Sequence, residues 1–366
     1  MNEIRTDVLT GRRVIVAQGR ESRPNAHSRD PELDRSVDPF AEGSESETPS
    51  ERLAWRDISS SPNQPGWKLR VVPNRYPAVT DSTALPSPGL TSNQSHTVSD
   101  MQALFPVEHA IGEHDVVIEC PDLRTRLIDL TPEEVALVLQ AWSRRIGQLR
   151  VMNKYTGIAA FRNEGFSAGG SLAHAHSQIA ATADLMPLQA ARVHQAEAFL
   201  NRTGRELVEE LMQAELASGM RIVHEDHEWI WMCPFASRTS WHVRVIPRIN
   251  QSMISGCFDK LSDHQLERLA QQLRALMIAM HHELGSFSHN LALVHAPLTS
   301  AGSFRWMLEV LPRRGRIAGW ELLTDVDIVT TAPETAAAKL RGCIPRDDAS
   351  GMTPSSDEVD RRYGWV

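Results

Sequence analysis

The feature that most constrains this chain is a repeat of helix-opening chemistry. Thr131-Pro132-Glu133-Glu134 puts an N-cap threonine before proline and, three residues after the threonine, a glutamate that can reach back to it. Ser262-Asp263-His264-Gln265 does the same, and the offset, 262 minus 131, is 131 residues. Apolar residues then recur at helical spacing, first Val135, Val138, Trp142, Ile146 and Leu149, later Leu266, Leu269, Leu273, Leu276 and Met280. Each helix therefore has one face to bury. Two similar sheet-plus-helix halves follow, each too small to be comfortable alone. The fold class is α+β with mainly antiparallel sheets, divided as 1–190, 191–343 and a flexible tail 344–366.

Chemistry concentrates between Ala160 and Ala181. Apolar runs flank Asn163-Glu164-Gly165-Phe166-Ser167-Ala168-Gly169-Gly170-Ser171, a stretch too rich in glycine for a regular element, so the pattern reads strand, loop, strand. On a regular second strand His174, His176 and Gln178 share one face. A neutral imidazole is a competent nucleophile, a glycine loop lets backbone N–H groups approach phosphate oxygens, and an amide can donate to the same oxygens. Attack by a histidine on a nucleotide phosphorus fits all three parts. A metal half-site, or simply hydrogen-bonded polar residues, fits the histidines alone; the loop and Gln178 favour the phosphate reading.

The segment from Asn163 to Gln178 resembles the active-site signature of the galactose-1-phosphate uridylyltransferase family, a branch of the histidine-triad superfamily that includes nucleotide-sugar phosphorylases. The resemblance implies two histidine-triad-like halves, a homodimer and ping-pong nucleotidyl transfer through a covalent nucleotidyl-histidine. His176 is then the nucleophile, with Ser171 and Gln178 on the transferred phosphoryl group. Asn163 and the backbone of Gly169 and Gly170 lie beside them, and His174 orients the loop or His176. Arg20 and Arg23 match arginines that reach nucleotide phosphates, although a solvated basic turn explains them equally. Asn74, in Pro73-Asn74-Arg75-Tyr76-Pro77, matches a nucleotide contact, although a proline-punctuated turn explains it too.

The chain also departs from that family. Many relatives carry a C-x-x-C pair for structural zinc where this chain reads Asp38-Pro39-Phe40-Ala41-Glu42-Gly43, and a histidine where it reads Cys120-Pro121-Asp122-Leu123. In the second half the offset carries His174 to Arg305 and His176 to Met307, which cannot attack phosphorus. The expectation is one catalytic site per subunit, no metal and no cofactor. Glu309 is then left on the sugar side, pairing with Arg305, Arg313 or a ligand hydroxyl. His224-Glu225-Asp226-His227-Glu228 has its histidines three apart rather than four, so zincin geometry is not encoded, and His281 with His282 suits a helix C-terminus.

Elsewhere Trp67 to Val72 and Gly112 to Glu119 read as strands, as does the pair Pro234 to Arg238 and Trp241 to Pro247. Val14 to Ala17 reads as a strand after a turn. Ala26 to Ser61, with Glu42, Glu45, Glu47 and Glu51, reads as loop with little core, and Thr80 to Asn93 as a mobile serine, threonine and proline stretch. A net charge of -8 argues against nucleic acid as partner. No apolar run approaches a membrane span, and the four cysteines lack C-x-x-C pairing, which together imply a cytoplasmic protein without disulfides. The expected activity is nucleotidyl transfer between nucleotide sugars and sugar 1-phosphates. Phosphorolysis with inorganic phosphate, nucleotide hydrolysis and non-catalytic nucleotide sensing are the alternatives.

Overall fold

A computed structural model describes residues 2–20, 30–31, 33–36, 38–81, 104, 108–248, 256–298, 304–315, 317–345 and 362–366. Arg23 and most of the Thr80 to Asn93 stretch lie outside the described residues.

Both repeated helices form where their caps direct. In α1 (Pro132–Met152) the Thr131 side chain accepts the Glu134 N–H and Glu134 accepts the Thr131 N–H at 2.8 Å. A second helix, Asp263–Leu284, opens with the same exchange between Ser262 and Gln265. Such caps are worth about 1 kcal/mol each. Their apolar stripes pack against each other and on one face of the sheet, where Trp142 is fully buried and donates its Nε1–H to Ser177 at 2.9 Å.

The first half supplies β3 (Leu53–Asp57), β4 (Trp67–Pro73), β5 (Gly112–Ile118), β6 (Gly157–Glu164) and β7 (His176–Thr182). The second supplies β8 (Ile222–Glu225), β9 (Trp229–Met232), β10 (Val243–Pro247), β11 (His289–Val294) and β12 (Met307–Pro312). With β14 (Tyr363–Trp365) they make one 11-stranded sheet in the order β14-β3-β4-β5-β7-β6-β11-β12-β10-β9-β8. The order is symmetric about the antiparallel seam between β6 and β11, where Asn163 faces Asn290. Each half runs three strands, a long helix and two strands, so the repeat inferred from helix caps is a structural repeat. A separate sheet joins β1 (Glu3–Thr6), β2 (Arg13–Val16) and β13 (Asp327–Val329).

Three readings need correction. The acidic stretch read as loop contains β3, because its carboxylates find partners on β3 and on the neighbouring β4: Glu51 pairs with Arg56 and with Arg70, and Glu45 accepts Trp67 Nε1–H at 2.7 Å. The strand ahead of β10 is Trp229–Met232 rather than Pro234 to Arg238. At the C-terminus, Tyr363–Trp365 is an edge strand, since Trp365 packs its ring 5.4 Å from Trp55 and beneath Arg144.

Candidate active site

His176 opens β7, and its Nδ1–H donates to the carbonyl of His174 at 2.8 Å. Assigned from that bond, the tautomer leaves the lone pair on Nε2. The residue is 8 % exposed. Burial pulls its pKa below the ordinary histidine value despite the His174 hydrogen bond, so it is neutral at pH 7.

His174 falls just ahead of the strand rather than on it. Its Nδ1 lies 2.8 Å from the Asp38 carboxylate and its Nε2 2.8 Å from the Cys120 carbonyl. Asp38 thus grips the residue whose carbonyl orients His176. Phe40 closes the space edge-on, with ring centroids 6.1 Å from His174 and 5.5 Å from His176. Beside it Trp67, Val72, Val116 and Ile118 form an apolar patch.

Gln178 shares the His176 face and is held by a residue that sequence reasoning passed over. His114 accepts the Ala78 N–H at Nδ1, 3.1 Å away, so its Nε2 carries the proton and donates to Gln178 Oε1 at 2.8 Å. Among the described residues the Gln178 amide NH2 makes no hydrogen bond and is left to donate. Asn74 lies alongside, its N–H donating to the His114 carbonyl and its Oδ1 accepting the Tyr76 N–H, each at 2.8 Å. A histidine at this place was legible only by comparing strands across the repeat.

The glycine loop is closed by a short 3-10 turn, Phe166–Ala168. Gly165 and Gly169 take φ of 86° and 85°, and a Cβ on Gly165 would sit 2.0 Å from Ser288 Oγ. The expected role of the loop amides is corrected here: Gly169 N–H donates to the Phe166 carbonyl and Gly170 N–H to the Gly165 carbonyl, each at 3.0 Å. The turn consumes the donors that were assigned to phosphate. Ser171 is exposed, and its hydroxyl makes no hydrogen bond among the described residues. Asp30 fastens the loop from outside by accepting Ser167 N–H at 3.0 Å. Asn163 accepts the Asn290 amide at 2.8 Å, and Arg20 ends a short 3-10 turn, exposed.

In the second half the same positions are filled differently. Met307 opens β12 where His176 opens β7. Glu309, the counterpart of Gln178, is buried and bonded to His242 at 2.5 Å and Arg244 at 3.0 Å, with Arg192 3.8 Å away. Its expected partners are elsewhere: Arg305 pairs with Glu206 and Glu209 at 3.1 and 2.6 Å, and Arg313 donates to Asn290. Burial alone would raise the Glu309 carboxyl, but Arg244 and His242 hold it below the usual carboxylate range. Among the described residues, one group of three could ligate a metal, Cys257, Asp259 and His295. There Arg150 already grips both Asp259 oxygens, at 2.9 and 2.7 Å.

Residues 1–185 match the family model for the galactose-1-phosphate uridyl transferase N-terminal domain, half of the chain. The chain belongs to the galactose-1-phosphate uridyl transferase family. It is 27% identical over 347 residues to the ADP-glucose phosphorylase of Arabidopsis thaliana, covering 93% of this chain and 92% of that one. Over 249 residues it is 28% identical to the galactose-1-phosphate uridylyltransferase of Haemophilus influenzae, with 65% and 69% covered. The crystal structure of the Arabidopsis thaliana ADP-glucose phosphorylase with bound ADP-glucose superposes with a TM-score of 0.74 at 26% identity, covering 93% of this chain and 99% of that one. This family member thus has relatives of both kinds, phosphorylases and uridylyltransferases. No helix among its described residues is long and apolar enough to cross a membrane.

Proposed function

We propose that the protein transfers a nucleotidyl group from a nucleotide sugar, with His176 as the nucleophile. His176 Nε2 attacks the α-phosphorus; an N–P bond forms, the bond to the bridging oxygen breaks, and a sugar 1-phosphate leaves. An oxygen of the acceptor phosphate then attacks the same phosphorus and the N–P bond breaks, restoring the imidazole. Inorganic phosphate as acceptor, which makes the reaction a phosphorolysis, is favoured over a sugar 1-phosphate by the similarity to an ADP-glucose phosphorylase along 93% of the chain. The enzyme acts as a cytoplasmic homodimer, as the family resemblance implies.

The observation that carries this reading is the Nδ1–H bond from His176 to the His174 carbonyl. It keeps the lone pair on Nε2, and it strengthens as the ring gains positive charge during attack. Gln178, oriented by His114, offers its amide to the phosphoryl oxygens, and Ser171 offers its hydroxyl. Asn163 supports the loop from β6, Asn74 is assigned to the nucleoside, and Arg20 and Arg23 are assigned to the phosphates, as the family resemblance implies.

Intact-mass measurement after incubation with ADP-glucose and with uridine diphosphate sugars tests it. One donor should leave an acid-labile nucleotide adduct that His176→Ala cannot form, and chase with inorganic phosphate should release a nucleoside diphosphate. Full turnover by His176→Ala would end the proposal.

A further inference from the structure

A row of polar side chains crosses the sheet on the face that holds His176. Phe161 faces Gln178 across β6 and β7, so Asn163, two residues on, lies on the same face. Asn290 faces Asn163 across the seam, and Leu311 of β12 faces Asn290. Arg313, two residues beyond Leu311, continues the ladder through its N–H to the Ser288 carbonyl, and its Nε donates to Asn290 Oδ1 at 2.5 Å. The Asn290 amide donates in turn to Asn163 at 2.8 Å and to the Ala168 carbonyl of the glycine loop at 2.9 Å. Two hydrogen bonds therefore tie the guanidinium of the second half to the loop of the first.

Among the described residues Arg313 makes no ion pair within 4.0 Å; Asp327, the carboxylate whose charge reaches it, pairs with Arg238 at 3.5 Å. Arg313 stands between two hollows. One, about 130 Å³, has Arg238, Ser240 and Thr330 on its wall together with the carboxylates Glu321 and Asp327, and the other, about 630 Å³, runs against the glycine loop at Gly165 and Phe166, with Arg126, Asp30 and Glu164 also on its wall. Burial, and after it the nearness of Arg238, pulls Arg313 below the usual guanidinium value, against the attraction of Asp327. Two strand spacings, about 10 Å, separate Asn290 from His176 along the sheet. With a nucleotide phosphorus on His176, the interval that remains suits one further phosphate group.

We propose that Arg313, anchored by Asn290 and flanked by Arg238, is the oxyanion subsite for the phosphate next to the transferred one. That group is the distal phosphate of the donor, and later the acceptor, which is inorganic phosphate or the phosphate of a sugar 1-phosphate. A bidentate guanidinium is the side chain suited to this task. The assignment deepens the nucleotidyl-transfer reading and rests on it.

Binding alone tests it, without turnover. The wild-type protein is titrated by calorimetry with AMP and ADP, and with UMP and UDP, then compared with Arg313→Gln and Arg313→Lys, whose thermal unfolding confirms the fold. The wild type should bind the diphosphate of its preferred base at least about tenfold more tightly than the monophosphate. The preference should fall to within about threefold in Arg313→Gln and lie between in Arg313→Lys. Chase of the nucleotide adduct with inorganic phosphate and with glucose 1-phosphate separates the two acceptors, the productive one slowing at least about tenfold in Arg313→Gln. An unchanged diphosphate preference with nucleotide binding intact overturns the subsite. Failure of the wild type to bind any of the four nucleotides overturns the nucleotidyl-transfer reading itself.

Discussion

His114 donates its Nε2–H to Gln178 Oε1 at 2.8 Å, and His242 repeats the bond in the second half by donating Nε2–H to Glu309 at 2.5 Å. Both imidazoles accept a backbone N–H at Nδ1, from Ala78 and from Arg238. One half thereby presents a neutral amide whose NH2 makes no hydrogen bond among the described residues. The other presents a carboxylate, and Arg244, paired with Glu309 where Val116 is paired with Gln178, neutralises it. The repeat has kept the scaffold while closing the second site on its own charges.

From this bond, His114→Ala should slow adduct formation roughly tenfold, the cost of one lost orienting hydrogen bond. Gln178→Ala should slow it at least as much, and the double variant little further, because both changes remove one function. Rapid-quench measurement of the adduct checks the cycle; strictly additive effects would separate the two residues.

Because burial lowers the pKa of His176, the nucleophile stays neutral below pH 6.5, the ordinary histidine value. The single-turnover rate with a nucleotide sugar should hold level through pH 6.5 and fall only in more acidic solution. A half-maximal point above 6.5 would mean that the imidazole is not held as described.

What local pattern encodes was readable: the two capped helices, their offset, the glycine loop and the His176 to Gln178 run. What depends on distant partners was not. His114 meets Gln178 across 64 residues and Asp38 meets His174 across 136, and no periodicity announces such pairs. β3 was hidden for the same reason, since Glu51 looks solvated until Arg70 arrives from the neighbouring strand. The loop misled in the opposite direction. Its glycines allow a tight turn, and that turn spends the very N–H groups that composition had offered to phosphate.

Glu309→Gln removes the charge that balances Arg244 and its neighbour Arg192 in a buried cluster. Stability should drop by about 3 kcal/mol, as expected when one partner of a buried ion pair is lost. Urea unfolding at neutral pH reads the change; a loss below about 1 kcal/mol would show the cluster to be hydrated.

Asp38 grips His174 through its carboxylate at 2.8 Å, in the segment where the family resemblance implies a zinc-binding cysteine. Prolonged dialysis against a chelator should cost less than about twofold in activity, whereas Asp38→Ala should lower turnover at least about tenfold and Asp38→Glu should recover part of it. Chelator-sensitive activity restored by zinc would place the support of His174 on a metal instead.

His289 is fully buried beside the seam, and neither ring nitrogen has a hydrogen-bond partner among the described residues. Glu164 lies 3.8 Å from its Nδ1 and 4.0 Å from His281 Nε2, with the Phe287 ring against both imidazoles and Arg162 close by. Burial outweighs the attraction of Glu164 and brings the His289 pKa to about 4 from the ordinary 6.5. The folded value is the lower one, so acid favours the unfolded chain. The contribution to stability is complete above pH 6.5, falls as pH drops through the interval to about 4, and is constant below it. The interval is worth on the order of 3 kcal/mol. Urea midpoints between pH 7 and 4.5 should therefore fall less steeply in His289→Phe than in the wild type, whatever the absolute stability of the variant. Parallel slopes would mean that His289 binds its proton in the folded protein as readily as in the unfolded one.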